Sequence, residues 1–386
     1  NGRVIPMRFV ELTAEAVEGA LRDWRPVASR SGLVALLPES GKDQVPLLQA
    51  AAARHGIALL GAIFPALLRG DRFVTDGAWL LCFDTMPPHF LLPALNEGDE
   101  PAGARLLGTV RQQLAESTPE AGRPTLFMIF DSMVPNVSSI LDDIYLALAN
   151  RVEYAGVSAG SESFLPMPCL FDATRVVGDG VLGLLLPPAM TPLLAHGFVQ
   201  PEHSMGATST RGNRIATLDW RPAFTVYQEI IKAQFGIDLT PENFYQYGVH
   251  YPFGLLRANG DVVVRIPVAL EADGSLHCIG EIPENALLVL LQAPPAGGNA
   301  CIGHLAEDLA AVQGPMAHRP LLAFYCAERR LHLGEAARDE LRQLAEATGA
   351  TPLGGALSLG EIGNTVRGGY PMFHNATLVC VPWSPQ

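Results

Sequence analysis

Between Pro352 and Gly363 the chain places four glycines in twelve residues: Gly354, Gly355, Gly360 and Gly363. Glycine at that density marks positions where the backbone takes positive φ or approaches another group closely. A carboxylate, Glu361, stands between two of them, and after ten further residues the run closes on His374-Asn375-Ala376-Thr377. The strand-like Leu378-Val379-Cys380-Val381 follows. Polar groups on glycine-rich turns at strand ends are how a rigid sheet presents a small-molecule site. The same residues also read as tight turns around a satisfied histidine, since turn glycines are common.

Composition narrows the class. With 386 residues, 48% of them hydrophobic, the chain is long enough for two or three domains with real cores. Its 26 Lys+Arg against 39 Asp+Glu leave a net charge of −13. So acidic a surface repels phosphate backbones and argues against nucleic acid as a partner. No apolar run approaches the roughly 18 residues of a membrane span, and Asn1-Gly2-Arg3-Val4 opens without a secretory h-region. The six cysteines (Cys82, Cys169, Cys278, Cys301, Cys326, Cys380) have no C-x-x-C spacing and fall mostly in apolar runs, as buried thiols do. The expectation is a cytoplasmic protein with no membrane association.

The first half alternates helix and strand signals. Ala14 to Trp24 and Val45 to Arg54 have helical apolar spacing, the second stopped by Gly56. Gly32 to Leu37, Ala78 to Phe83 and Thr125 to Phe130 read as inner strands, and Asn136 as the N-cap of a helix running to about Asn150. From Val152 the texture becomes a meander. Thr174 to Val177 and Val181 to Leu186 read as a hairpin around Gly178-Asp179-Gly180, and Ala207 to Leu218 as another. Pro222 opens a helix. Strands are expected at Gly254 to Leu256, Val262 to Ala269, Ser275 to Ile279, Leu287 to Leu291 and Pro320 to Cys326, and a helix at Glu335 to Thr348 ended by Gly349. This is an α/β (α+β) pattern: two lobes of mixed sheets flanked by helices, divided near Pro241 into residues 1–240 and 241–386. No short-period repeat is visible.

The order of motifs resembles one family. Gly156-Val157-Ser158-Ala159-Gly160, Gly178-Asp179-Gly180-Val181-Leu182-Gly183 and Leu218-Asp219-Trp220-Arg221-Pro222-Ala223 resemble the FIST N-terminal domain. Tyr251-Pro252-Phe253-Gly254, Arg265-Ile266-Pro267, Asp273-Gly274-Ser275 and Gly280-Glu281-Ile282-Pro283 resemble the FIST C-terminal domain. So do Phe324-Tyr325-Cys326-Ala327-Glu328-Arg329, Ser358-Leu359-Gly360-Glu361-Ile362-Gly363 and His374-Asn375-Ala376-Thr377. The resemblance implies a sensory, ligand-binding module of bacterial signal transduction, not an enzyme. With no output domain in the chain, it implies a stand-alone sensor acting on a signalling protein in trans. Stand-alone bacterial members include nitric-oxide-sensing haemoproteins that regulate histidine kinases. The preferred expectation is therefore haem b, nitric oxide as the signal and a histidine kinase as partner, with a homodimer as a further expectation. Two departures bear on the pocket: Glu328 replaces the usual glycine of the Cys-x-Gly-Arg pattern, and Ala207-Thr208-Ser209-Thr210 stands where a valine-threonine strand is usual.

Several residues carry candidate chemistry. Arg329, Glu361, His374, Asn375 and Cys326 form the expected ligand-binding set, with Glu361 and Arg329 as a buried pair. Cys326 is either a core thiol or a thiolate whose pKa Arg329 and Arg330 lower. As axial haem ligands His250 comes first, beside the aromatic Tyr251 and Phe253, then His203, then His374. His332 and His55 read as surface residues. Gly156-Val157-Ser158-Ala159-Gly160 matches the nucleophile-elbow pattern, which would make Ser158 a hydrolase serine with Asp219 and His374 as partners. The two prolines that follow, Pro166 and Pro168, break the helix that motif requires. The alternatives are a haem-free small-molecule sensor, a hydrolase using Ser158, or a scaffold, as eukaryotic members of the family serve ubiquitin ligases.

Overall fold

The computed structural model describes residues 6–117, 122–198, 203–291, 294, 300–364 and 370–385. The first unit starts from Gly32–Pro38, a strand buried along its whole length. Pro46 opens the helix Val45–His55, Gly56 ends it in the left-handed conformation, and the strand Ala58–Phe64 returns parallel to the first. A parallel pair covered on one face by its crossover helix and on the other by core has no solvated side, so its strands read as continuous apolar runs.

The same unit recurs twice. Thr125–Asp131, the helix Val137–Leu148 and Glu153–Ala159 make the second. Leu321–Cys326, the helices Ala327–Leu333 and Ala336–Thr348, and Leu353–Ser358 make the third. Register is preserved among them: Ala35 opposes Gly61, Met128 opposes Gly156, and Ala323 opposes Gly355. On the other side of the first strand, Leu80, Gly183 and Cys380 oppose the same three residues from the return strands Ala78–Phe83, Val181–Leu186 and Leu378–Pro382. Each unit heads its own six-stranded sheet.

Between its parallel pair and its return strand, each unit sends a hairpin into a neighbour's sheet. Leu67–Arg69 of the first unit pairs with Leu353–Ser358 of the third. Glu361–Gly363 of the third pairs with Glu153–Ala159 of the second. Leu170–Asp172 of the second pairs with Ala58–Phe64 of the first. The exchange is cyclic, so the three sheets close into a prism. Their inner faces meet in one core where Phe324 packs against Phe64 and Phe127 with ring centroids 5.8 and 5.9 Å away. The outer faces of the second and third sheets are covered by helices in separate clusters.

The fourth sheet interrupts the third unit, between the edge strand Leu193–Ala195 and the helix Cys301–Gln313. Its eight strands lie between Met205 and Leu290, and the helix Ala223–Phe235 packs on them through Tyr227, whose ring lies 5.2 Å from that of Phe253. The mixed α/β architecture expected from the sequence holds. Two local expectations do not. Val176–Val177 pairs with Leu170–Asp172, whereas Val181–Leu186 pairs with Thr125–Asp131, so the expected hairpin is two strands of different sheets. Val262 to Ala269 is likewise two strands, Val262–Arg265 and Pro267–Leu270, with different partners.

The preserved glycine of the second and third units has one physical cause. A Cβ on Gly156 would lie 2.0 Å from the Met128 carbonyl oxygen, and one on Gly355 would lie 1.7 Å from that of Ala323. Gly355→Ala should therefore cost about 3 kcal/mol or more in urea unfolding. Gly19→Ala, in the helix Ala14–Trp24 with nothing within 4 Å, should be neutral or stabilise by up to about 1 kcal/mol. Equal effects at the two positions would show that the strand pair does not require this close approach.

Candidate functional site

The return loop of the third unit, Phe373–Thr377, is gripped by buried side chains from three directions. Arg329, fully buried, makes two bonds of 2.7 Å to the Glu340 carboxylate and donates through Nη1 to the carbonyls of Ala376 (3.0 Å) and His196. Burial works against its charge, but the Glu340 pairing outweighs it and raises its pKa. Glu361, also fully buried, accepts from the N–H groups of Thr377 and Gly360, each at 3.0 Å, and from the Ser358 hydroxyl at 2.9 Å. The expected Glu361–Arg329 pair is not formed; Arg329 goes to Glu340.

Burial, with the Glu328 carboxylate behind it, lifts the Glu361 pKa to about 8. The Cys326 thiol donates to Glu328 at 2.8 Å and accepts the Ala376 N–H at 3.1 Å. Burial, then Glu328, raises this thiol well above its ordinary value, the direction of the core thiol and not of the alternative, a lowered thiolate. Arginine cannot lower it while its guanidinium is committed to Glu340. His374 opposes Glu361 across the hairpin and donates from Nε2 to the Gly363 carbonyl at 3.1 Å. Burial pushes its pKa down to about 3, so the ring is neutral. Asn375 accepts the Ile266 N–H at 3.0 Å. Three polar atoms here have no hydrogen-bond partner among the described residues: His374 Nδ1, Asn375 Nδ2 and Ser158 Oγ.

The repeat shows that this polarity is peculiar to the third unit. The pair Glu361–His374 corresponds to Leu67–Val74 in the first hairpin and Leu170–Val177 in the second. A symmetric scaffold has apolar pairs at two corners and a carboxyl and an imidazole at the third.

Arg329, Glu361, His374, Asn375 and Cys326 are thus brought together. The proposed metal residues are not. His250 is half-buried with its Nδ1 2.6 Å from Nδ1 of His332, which corrects the reading of His332 as a surface residue. His203 stands exposed before the strand Met205–Arg211. Among the described residues no three His, Cys, Asp or Glu side chains are grouped to hold a metal ion.

A cavity of about 350 Å³ opens beside the Phe373 end of this loop. It lies between the first turns of the helix Val137–Leu148 and the inserted sheet, with Ser138, Ser139, Arg257, Arg265, Glu281 and Phe373 among its lining. Arg265 is 2% exposed and bonds only neutral groups: the carbonyls of Glu281 (3.0 Å), Val264 (3.3 Å) and Phe373, and the Ser138 hydroxyl at 3.1 Å. Burial draws its pKa down to about 10, which still leaves it charged at neutral pH. Arg257 lies over the Tyr370 ring at 5.8 Å, and Tyr370 donates to Asp142 at 2.7 Å. Neither arginine makes an ion pair among the described residues. Arg265 and Glu281 fall within the motifs that carry the family resemblance, but the sequence alone assigns them no role; an arginine followed by two apolar residues in a strand is the available signal.

The Glu361 pKa fixes the sign of a pH effect. It is raised from 4.5 to about 8, so its contribution to stability is full below the unfolded value and is lost as pH rises toward 8. In denaturant unfolding, wild-type stability should fall between pH 6.5 and 8, above the range where the depressed His374 acts in the opposite sense, at up to about 1.4 kcal/mol for each pH unit crossed. Glu361→Gln should flatten that slope. A wild-type slope unchanged in the variant would remove Glu361 as its source.

Comparison with known proteins gives the family. A model described as the FIST N domain matches residues 33–221, and one described as the FIST C domain matches residues 223–364. No curated protein matches the chain. FIST domains are associated with small-ligand sensing in signal transduction. Among the described residues no helix is long and apolar enough to cross a membrane. The two matches adjoin at the corner where Arg221 and Pro222 lead into the helix Ala223–Phe235, and together they span most of the sequence; the chain belongs to the FIST family.

Proposed function

We propose that this protein is a sensor whose ligand is a small molecule bearing an anionic group, taken up in the cavity between the helix Val137–Leu148 and the inserted sheet. The observation that carries this reading is Arg265: a buried guanidinium lining the cavity that makes no ion pair among the described residues, the Glu281 carboxylate in the same lining being held on Ser139 instead. A buried cation paired only with carbonyls and a hydroxyl keeps a desolvation cost that an anion would offset. Arg257 supplies a second, more accessible cation from the same wall. The lining also carries the carboxylates of Asp142, Glu281 and Glu284, so the two guanidiniums would fix where the anionic group sits and how the ligand is oriented.

The signalling partner in trans, a histidine kinase in the preferred expectation, belongs to the same proposal. Turnover is not part of it. Ser158 Oγ has no hydrogen-bond partner among the described residues, and Asp219, its expected triad member, accepts the Gly206 N–H at 2.8 Å on the fourth sheet. A serine nucleophile needs a base within hydrogen-bond reach.

Haem is the cofactor that the family resemblance favours. A b-type haem needs an apolar slot with an imidazole nitrogen turned into it. The 350 Å³ cavity has no histidine in its lining among the described residues. His250 faces His332, while Tyr251 stacks on Phe235 at 4.4 Å and Phe253 on Tyr227, so the aromatic wall is used up inside the inserted sheet. These residues do not fit haem as they stand.

The test is a thermal-shift and calorimetric screen of small carboxylates and phosphate esters on the purified chain. A hit should bind with one site per chain, and Arg257→Ala should weaken it about 10- to 100-fold, the cost of one charge-assisted hydrogen bond. Binding confined to neutral compounds, or insensitive to Arg257, would overturn the anion reading. Protein supplemented with haemin should show no stoichiometric Soret band; a band at one haem per chain would restore the haem sensor.

A further inference from the structure

We infer that Glu281 is a built-in competitor for the ligand's anionic group, seated at the N-terminus of the helix Val137–Leu148 until the ligand takes its place. The inference rests on the cavity being an anion site, as proposed above, and adds how occupancy is converted into a change of structure.

The helix Val137–Leu148 lacks a cap of its own. Asn136 precedes it in cap position but makes no capping hydrogen bond; its side chain exchanges bonds of 3.2 and 3.0 Å with Asn96 instead. The first turn contains no acidic residue. A helix start leaves several N–H groups without intrahelical acceptors and carries partial positive charge. The missing acceptor comes from the inserted sheet. One Glu281 carboxylate oxygen accepts the Ser139 N–H at 3.1 Å, and the other accepts the Ser139 hydroxyl.

The second observation is what lies beside that carboxylate. Arg265 Nη2 donates to Ser138 Oγ at 3.1 Å, and Arg265 Nε to the Glu281 main-chain oxygen at 3.0 Å. Guanidinium and carboxylate are therefore set against adjacent serines, both lining the cavity, without pairing to each other. An anionic group entering the cavity finds the Ser139 N–H, the two serine hydroxyls, Arg265 and Arg257, and must stay clear of the carboxylates of Glu284 and of Asp142, the latter held by Tyr370. The first of these donors is the one Glu281 now occupies. Two anions cannot share it, because like charges at hydrogen-bond distance exclude one another.

Displacement has a structural consequence. The Glu281–Ser139 contact ties the inserted sheet to the second unit of the prism, residues 142 apart in sequence. The turn that carries Glu281 is anchored on its own sheet by Ile282 N–H to Gly212 O and Asn285 N–H to Ala207 O, each 2.9 Å or less. Freed from Ser139, the Glu281 side chain turns toward solvent, while its main chain stays on Arg265, which still holds the sheet to Ser138 and Phe373. The ligand then favours an arrangement in which the side-chain tether is open, which is the differential affinity a sensor needs to shift a population.

The experiment uses the full chain, with inorganic phosphate and succinate as probes and sodium chloride at matched ionic strength as control. Glu281→Ala should melt at lower temperature than wild type without a probe, because the helix loses its cap. It should bind at least one probe about tenfold more tightly, a factor typical of removing one competing charge at a helix start. That probe should restore its melting temperature. The probe with the larger gain identifies the anion as phosphate or carboxylate. Glu281→Gln keeps the side-chain shape and an acceptor oxygen, so it tests the same point should the alanine variant fold poorly; a smaller gain in the same direction is expected. Arg257→Ala in the Glu281→Ala background should cancel the gain. Equal affinity in wild type and both Glu281 variants overturns the competitor and leaves the anion sensor standing. No binding of either probe to any form overturns both.

Discussion

A guanidinium with no exposed surface is the constraint around which this molecule is arranged. Arg329 sits at the start of the helix Ala327–Leu333, and its charge is held by Glu340 from the next helix and by two carbonyls. One carbonyl, Ala376, belongs to the return loop of the third unit; the other, His196, belongs to the chain just before the inserted sheet begins. Removing either side of a buried pair leaves an uncompensated charge at a cost of about 3–5 kcal/mol. That penalty pins the return loop, and the loop in turn supplies the N–H of Thr377 to Glu361, the N–H of Ala376 to Cys326 and the carbonyl of Phe373 to Arg265. Four buried polar side chains thus read the geometry of five consecutive residues, Phe373 to Thr377.

The threefold repeat explains why such a loop is tolerated in a folded chain. Two corners of the prism are closed by apolar pairs, Leu67–Val74 and Leu170–Val177, and contribute ordinary core burial. Only the third carries Glu361 and His374 inward. Each hairpin is also tied to the crossover helix of the sheet it joins: Gln49 to Asp172 O at 3.0 Å, Arg342 to Asp71 at 3.5 Å, and Tyr370 to Asp142 at 2.7 Å. The scaffold is repeated, and the chemistry is confined to the corner where the inserted sheet meets the second unit.

Much of this was legible in the sequence. The inner strands were, because strands buried on both faces leave unbroken apolar runs such as Gly32–Pro38. The polar set was, because Glu361, His374 and Asn375 stand out among glycines and apolar residues. What pairs with what was not. Gly178-Asp179-Gly180 announces a reversal of the chain, but turn chemistry says nothing about which sheet the flanking strands enter. Glu340 falls on the apolar face that Ala337, Leu341 and Leu344 define, and its position there was the one hint that Arg329 had a partner other than Glu361. The repeat escaped because its equivalent residues are mostly small or aliphatic, and because the insertion separates the edge strand of the third unit from its core. Asn136 looks like an N-cap by residue type, and only Asn96, forty residues away, takes its side chain elsewhere.

The insertion then accounts for where the cavity lies. The third hairpin, Glu361–Gly363 with Met372–His374, is the one that carries Phe373 to the insertion. There the surface of the inserted sheet does not fill the angle between the helix Val137–Leu148 and the loop ending in Phe373. Arg265 bridges that angle, with one nitrogen on Phe373 O and another on Ser138. The wall of the cavity and the anchor of the return loop are therefore the same side chain. A molecule that binds Arg265 acts on a group already committed to the loop that Arg329 and Glu361 hold, and geometry at the cleft and geometry at the buried corner are set together.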